Sequence, residues 1–166
     1  MTRPNGRRVA TRGGDSRIRI AEEPVPALSP GTVLVEVHAS LVSPGTEVGG
    51  WHGLARRGSN PDPSVERRPF GYSNAGIVLA TGEGVEEWQP GDRVACIGGG
   101  YALHTDYAVI PRNLCVSLPA GATFTQGSYA MLMATALHAI RRGQVEFGEL
   151  AAVAGLGLVG QLTAQM

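Results

Sequence analysis

The sequence predicts a mainly β chain that passes, toward its end, into the opening of an α/β unit. Three observations carry that expectation. Short alternating or apolar runs recur between residues 17 and 120, each bounded by Gly or Pro. A helical period replaces them after Pro119. A short apolar run over residues 150–154 then leads into the glycine-rich turn Gly155-Leu156-Gly157-Leu158-Val159-Gly160.

Residues 1–16, with Arg3, Arg7, Arg8 and Arg12, show neither period and are expected to be a flexible N-terminus. Residues 17–22 alternate, and residues 32–39 alternate after the turn signal Pro30-Gly31. Residues 45–68 form the longest stretch without a period, and such stretches in compact domains are often functional. Residues 76–80 are a short apolar run ahead of a polar loop. Pro90-Gly91-Asp92 is a turn into a strand over 93–97, and strands are expected over 107–110 and 114–118. Regular short strands of this kind suggest a barrel-like antiparallel domain. Over 124–142, Tyr129, Leu132, Met133, Ala136, Leu137 and Ile140 recur at three- and four-residue spacing, and Gly143 marks the helix stop. The organisation is therefore many strands, then helix, strand, glycine turn and helix start.

Composition narrows the functional classes. Hydrophobic residues make up 43% and charged residues 17%, which is globular rather than disordered. Zero formal net charge argues against a nucleic-acid surface. No run approaches the roughly 18 apolar residues of a membrane helix. The basic start is not followed by an apolar stretch, so no secretory leader and a cytoplasmic protein are expected. Cys96 and Cys115 lack paired spacing and cannot complete an all-cysteine zinc site; free thiols are expected.

The glycine turn carries the chemistry. A strand feeding G-x-G-x-x-G and a helix start is how a dinucleotide pyrophosphate is held. The first glycine permits the tight turn, the second lets the backbone approach the phosphates, and the third lets the helix pack on the strand. Gly155, Leu156, Gly157, Leu158, Val159 and Gly160 are thus the expected cofactor contacts. The acidic residue that would select between NAD and NADP falls roughly 20 residues past the first glycine, beyond Met166, so both cofactors stay open. Gly98-Gly99-Gly100 lacks a following helix start and is taken as a turn.

The order of these elements resembles the medium-chain dehydrogenase/reductase (alcohol dehydrogenase-like) family. Gly91-Asp92-Arg93-Val94 is similar to its GDRV turn, and residues 105–111 to its strand ending in proline. Thr135-Ala136-Leu137-His138-Ala139 is similar to a helix of that family, and residues 154–160 to its nucleotide turn. The resemblance implies a partly open GroES-like β-barrel over residues 17–122 on the substrate side. Residues 123–166 would be the first helix-strand-helix of a Rossmann domain, with Thr135 near the cofactor. It covers about half of a typical member.

In the zinc branch of that family a cysteine stands in a C-G-T-D-like segment and a histidine and glutamate in a G-H-E segment. Here the matching segments are Ser43-Pro44-Gly45-Thr46-Glu47 and Gly71-Tyr72-Ser73. The cysteine falls on Ser43 or Pro44, the histidine on Tyr72 and the glutamate on Ser73. No zinc is therefore expected, since catalytic zinc needs three protein ligands. The resemblance implies hydride transfer between NAD(P) and a small carbonyl, alcohol or enone. A hydroxyl or imidazole must then handle the proton. Thr46 matches the family's relay hydroxyl, and Tyr72 and Ser43 are expected beside it. His104, at the entry of a strand, is a further acid–base candidate. A capping role for Thr46 and a packing role for Tyr72 stay open alternatives. His52 beside Trp51 is a weaker candidate for an entrance, and Arg56-Arg57 and Arg67-Arg68 for an anion clamp. A homo-oligomer, or the remainder of a longer chain, is expected to complete the nucleotide fold. The alternative is a non-enzymatic GroES-like assembly module.

Overall fold

The structure is a computed structural model and describes residues 4–15, 17–48 and 64–166. Two antiparallel sheets make the β domain. The strands are β1 (Gly6–Arg12), β2 (Ile18–Pro24), β3 (Thr32–Ser40), β4 (Arg68–Pro69), β5 (Ser73–Thr81), β6 (Arg93–Ile97), β7 (Tyr107–Pro111) and β8 (Cys115–Ser117). The smaller sheet has the order β2-β1-β4 and the larger β7-β3-β5-β6-β8. The Val9–Thr105 bridge ties β1 to the segment that leads into β7, helped by the Ala10 N–H to the His104 carbonyl. The core is small and aliphatic, with Val33, Val35, Val78, Val94, Cys96, Ala102, Ala108 and Ile110 all buried. This is the mainly β, partly open barrel expected from the sequence, and each strand predicted between 17 and 118 is present to within a few residues.

β1 corrects the expected flexible segment over 1–16. It pairs with β2 along its whole length, from Gly6 opposite Pro24 to Arg12 opposite Ile18. Its inward positions include polar side chains, which hid the strand's period. Arg7 is buried against Glu23 at 3.1 Å, and the Thr11 hydroxyl donates to the Arg19 carbonyl. Those partners belong to β2, and the local sequence of β1 does not contain them.

β3 and β5 carry the close approach on which the larger sheet depends. Their register shifts twice, between Leu34 and Val35 and between Val37 and Ala39. Gly76 lies at the second shift, where a Cβ would sit 1.9 Å from the Glu36 carbonyl oxygen. Only glycine allows the two backbones to meet there.

The predicted helix over 124–142 divides in two. α1 (Phe124–Gly127) opens on a capping box in which the Thr123 hydroxyl accepts from the Gln126 N–H. The chain then breaks at Ser128 and Tyr129 before α2 (Ala130–Gly143). Ser128 is buried, its carbonyl taken at 2.6 Å by the Ser73 hydroxyl of β5. Gly143 remains inside α2, and the left-handed residue that ends the helix is Gln144 at φ 52°.

The expected strand over 150–154 is not formed. The segment is exposed and has no ladder, with Phe147 and Leu150 fully open to solvent. A strand exists only beside another, and no described strand lies next to this one. The chain turns at Gly155–Gly157 into α3 (Leu158–Gln165), which packs on α2. Among the described residues no helix is long and apolar enough to cross a membrane.

Replacing Gly76 with alanine is expected to destabilise the fold by about 2 kcal/mol or more, because the new methyl meets rigid backbone. Urea unfolding measures it; an unchanged midpoint would show that β3 can yield at its bulge.

Candidate active site

One cleft of about 800 Å³ collects residues from five separate stretches. Ser43, Pro44, Gly45 and Thr46 form one wall, on a short helical turn (Pro44–Val48) that follows β3. Tyr72 and Gly99 come from the segment before β5 and the glycine turn after β6. Met131, Leu132 and Thr135 come from α2, and Ala154, Gly155, Gly157, Leu158, Val159 and Gly160 from the glycine turn and the start of α3. The volume suits a small organic ligand, for which roughly 300–1,000 Å³ is usual.

Two of the three glycines are required by the turn's own geometry. Gly155 has φ 95°, a left-handed conformation that side chains disfavour. A Cβ on Gly160 would sit 1.9 Å from the Gly155 carbonyl oxygen, so the third glycine lets α3 close against the turn itself. Gly157 differs: φ is −70° and a Cβ there would meet nothing within 4 Å. The fold makes no demand for glycine at that position. α3 has no side-chain cap, so the N–H groups of its first turn have no partner from the chain's own side chains.

Beneath the opposite wall lies a buried pair. Nε2 of His104 is 3.1 Å from Oε1 of Glu47, and their side chains are only 9% and 7% exposed. Oε2 of Glu47 accepts the Ser43 N–H at 2.7 Å, and the Glu47 N–H returns to the Ser43 carbonyl at 2.8 Å. Nδ1 of His104 is 2.9 Å from the Ser40 hydroxyl. An ionised Glu47 can only accept, so it fixes a proton on Nε2 and leaves Nδ1 to accept from Ser40 in the neutral ring. Gly71 makes room for the imidazole's loop, since a Cβ there would lie 2.5 Å from the His104 nitrogen. The loop is tied further by Asn74, whose Nδ2 donates to the Leu103 carbonyl at 3.0 Å.

The structure therefore brings Ser43, Thr46 and Tyr72 to one cleft with Thr135 and five residues of the glycine turn. Two candidates are placed elsewhere. Leu156 is 67% exposed and does not line the cleft. His104 does not line it either, because both ring nitrogens are engaged behind the wall. Trp51, His52, Arg56 and Arg57 lie outside the described residues. Arg67 is spent on structure, bonded to Asp15 and to the Thr11 and Arg17 carbonyls. Ser73 is turned away, its hydroxyl donating to Ser128 and lying 3.4 Å from the Met131 N–H. Sequence reasoning missed the role of Glu47. It stands beside Thr46 in the motif, but its partner is 57 residues away and no local pattern joins them. Among the described residues, no three His, Cys, Asp or Glu side chains gather as a metal site.

The β domain thus shares its cleft with a glycine turn at a helix N-terminus. The model of the alcohol dehydrogenase GroES-like domain matches residues 29–140, and the chain belongs to that family. It is 30% identical to sorbitol dehydrogenase of Mus musculus over 178 residues, covering 90% of this chain and 48% of that protein. It is similar in structure to an alcohol dehydrogenase superfamily protein of Novosphingobium aromaticivorans, at 28% identity and TM-score 0.75, covering 96% of this chain and 49% of the other. A short chain alcohol dehydrogenase of Escherichia coli CFT073, solved with NADH, shares the fold at 22% identity and TM-score 0.75, covering 98% and 53%. The chain spans about half the length of the curated relatives it matches.

Removing the imidazole with His104→Ala is expected to cost about 2–4 kcal/mol of stability, because it strands a buried carboxylate. Combined with Glu47→Ala, the loss should fall short of the sum by at least about 1 kcal/mol. A double-mutant cycle by chemical unfolding measures the coupling; additivity would mean the pair does not hold the turn.

Proposed function

We propose that the protein containing this chain is an NAD(P)-dependent, zinc-independent oxidoreductase acting on a small carbonyl, alcohol or enone. The observation that carries this reading is the shared cleft, lined both by Thr46 and Tyr72 and by Gly155, Gly157 and Gly160 of the glycine turn. Residues 17–122 are read as the substrate side and 123–166 as the start of the cofactor domain. The protein is read as cytoplasmic.

The residues present fit a dinucleotide. Gly157 leaves an open cradle that the fold does not itself require, and α3 offers unpartnered N–H groups beside it. When bound, NAD(P) supplies the hydride carrier. Backbone N–H groups of residues 157–160 would hold its phosphates, and Thr135 and Met131 of α2 would border it. Thr46 would donate its hydroxyl to the substrate oxygen and hold the proton there. Tyr72 would supply a second phenolic donor, and Ser43 lies on the same wall. Leu132, Leu158 and Val159 make the remaining cleft surface apolar, which limits water near the reacting carbon.

Zinc independence rests on the donor set. The positions that match the zinc ligands are Ser43 or Pro44, Tyr72 and Ser73. Hydroxyls of Ser and Tyr are poor zinc ligands beside thiolate, imidazole and carboxylate. Ser73 is already committed to the α1–α2 junction. The exposed Phe147 and Leu150 favour a cover for this end of the chain, either the remainder of a longer chain or another subunit of a homo-oligomer.

In the full-length protein, Gly157→Ala should leave the unfolding midpoint unchanged and weaken NADH or NADPH binding by about tenfold or more. Gly160→Ala should lower both stability and binding, since its methyl strikes the Gly155 carbonyl. Nicotinamide fluorescence titration separates the two; equal cofactor affinity in wild type and Gly157→Ala would reject the phosphate role.

With a substrate in hand, Thr46→Val should reduce kcat by about 10²-fold or more with little change in cofactor affinity. Unchanged steady-state rates would assign Thr46 to the turn alone.

A further inference from the structure

Cys96 and Cys115 are widely spaced in sequence, yet the fold sets them face to face. Cys96 of β6 is paired directly with Cys115 of β8, and their sulfurs are 3.7 Å apart. The type of pairing matters. The Leu118 N–H donates to the Arg93 carbonyl at 2.8 Å, which marks Arg93 and Leu118 as a hydrogen-bonded pair. Counting along the antiparallel register, Val94–Ser117 is then non-hydrogen-bonded, Ala95–Val116 hydrogen-bonded and Cys96–Cys115 non-hydrogen-bonded. At such sites the Cα atoms approach to about 4.5 Å and the side chains are closest. That lies within the roughly 4.4–6.8 Å that a disulfide spans. Rotation about χ1 can therefore close the sulfur gap without moving the strands.

We propose that Cys96 and Cys115 are a modification site, a dithiol that a hydroperoxide converts reversibly into a cross-strand disulfide. The two thiols have unequal parts. Cys96 is fully buried, and the neighbouring Cys115 thiol, then burial, hold its own thiol well above the usual thiol range. Cys115 is partly exposed on β8, a three-residue strand at the edge of the sheet, so it meets the oxidant first. Its thiolate attacks one peroxide oxygen, the O–O bond breaks, and the products are a sulfenic acid and the alcohol or water. The Cys96 sulfur then displaces the hydroxyl from Cys115 sulfur, its proton leaving with that hydroxyl as water. Two thiols lose two electrons and two protons, and the peroxide takes both.

The bridge joins two functional directions. From Cys115 the chain runs through Leu118 to the Pro119–Ala122 turn, whose carbonyls are gripped by the Arg93 guanidinium, and then to α1. From Cys96 it runs through Ile97 and Gly98 to Gly99 on the cleft wall. Oxidation would fasten the short edge strand β8 to β6 between the two. The proposal rests on register and burial and does not depend on the dehydrogenase reading.

The test is to treat the reduced native protein with hydrogen peroxide, block free thiols under denaturing conditions and map peptides without reduction. The expected result is one cross-linked peptide joining Cys96 to Cys115, with both thiols lost together and both recovered with dithiothreitol. In Cys96→Ser the cross-link disappears, and Cys115 over-oxidises to a sulfinic acid that dithiothreitol does not reverse. Sulfinic acid at Cys115 in the wild type, a bridge between two molecules, or two unreacted thiols would each overturn the proposal. Cys115→Ser, altered only at the edge strand, gives the complementary control: Cys96 should then stay reduced, and its ready oxidation would contradict the order of events.

Discussion

The hydrogen-bonded pair of Glu47 and His104 is the constraint on which the site depends. It is buried and joins three parts of the chain that share no local sequence signal: the end of β3 through Ser40, the turn bearing Ser43 and Thr46, and the loop before β7. A buried carboxylate that lost its partner would be strongly destabilising, so the turn cannot drift while the pair is intact. The glycine at 71 and the amide of Asn74 seat the backbone that carries His104, and the Phe70 ring packs T-shaped with its imidazole at 5.0 Å between centroids. Thr46 and Ser43 reach the cleft because this arrangement lies behind them.

A second constraint operates at the glycine turn. Gly155 and Gly160 are required by the chain's own geometry, one by its backbone angle and one by a collision with a carbonyl. Gly157 is not required by either, which separates glycines that build the turn from the one that leaves space. The helix junction at Ser128 is locked to β5 by Ser73. That hydroxyl stands where the zinc branch carries a glutamate, and here it serves packing. Under the proposed zinc-free reading, that position works in the scaffold and the proton chemistry would fall to hydroxyl groups.

Most strands were legible because alternation and turn residues are local signals. The strands over 32–39 and 93–97 follow Pro-Gly turns and form where the pattern puts them, although each buries three consecutive residues rather than one alternating face. β1 was not legible, since Arg7 and Thr11 face inward and are satisfied by β2. The break between α1 and α2 was hidden for a similar reason: it is made by a hydrogen bond from Ser73, 55 residues earlier. The run over 150–154 has the composition of a strand but no neighbour to pair with. Within the site, Ser43, Thr46, Tyr72 and the glycine turn were identified by motif, and the cleft unites them. His104 was identified as a residue of consequence, yet its place behind the wall follows from a contact with Glu47 that no spacing reveals. The Cys96–Cys115 approach is likewise a product of register, visible only once β6 and β8 are paired.

The proposed function has a hydroxyl-lined cleft, held from behind by a carboxylate–imidazole pair, take the place of a metal site. It is tested most directly by crystals of the protein grown with NADP and excess zinc, with diffraction data collected on both sides of the zinc absorption edge. The account predicts no anomalous peak among Ser43, Thr46, Glu47, Tyr72 and His104, and electron density for the cofactor along the Gly155–Gly160 turn. A zinc peak bonded to Glu47 or His104, with their mutual hydrogen bond broken, would contradict it.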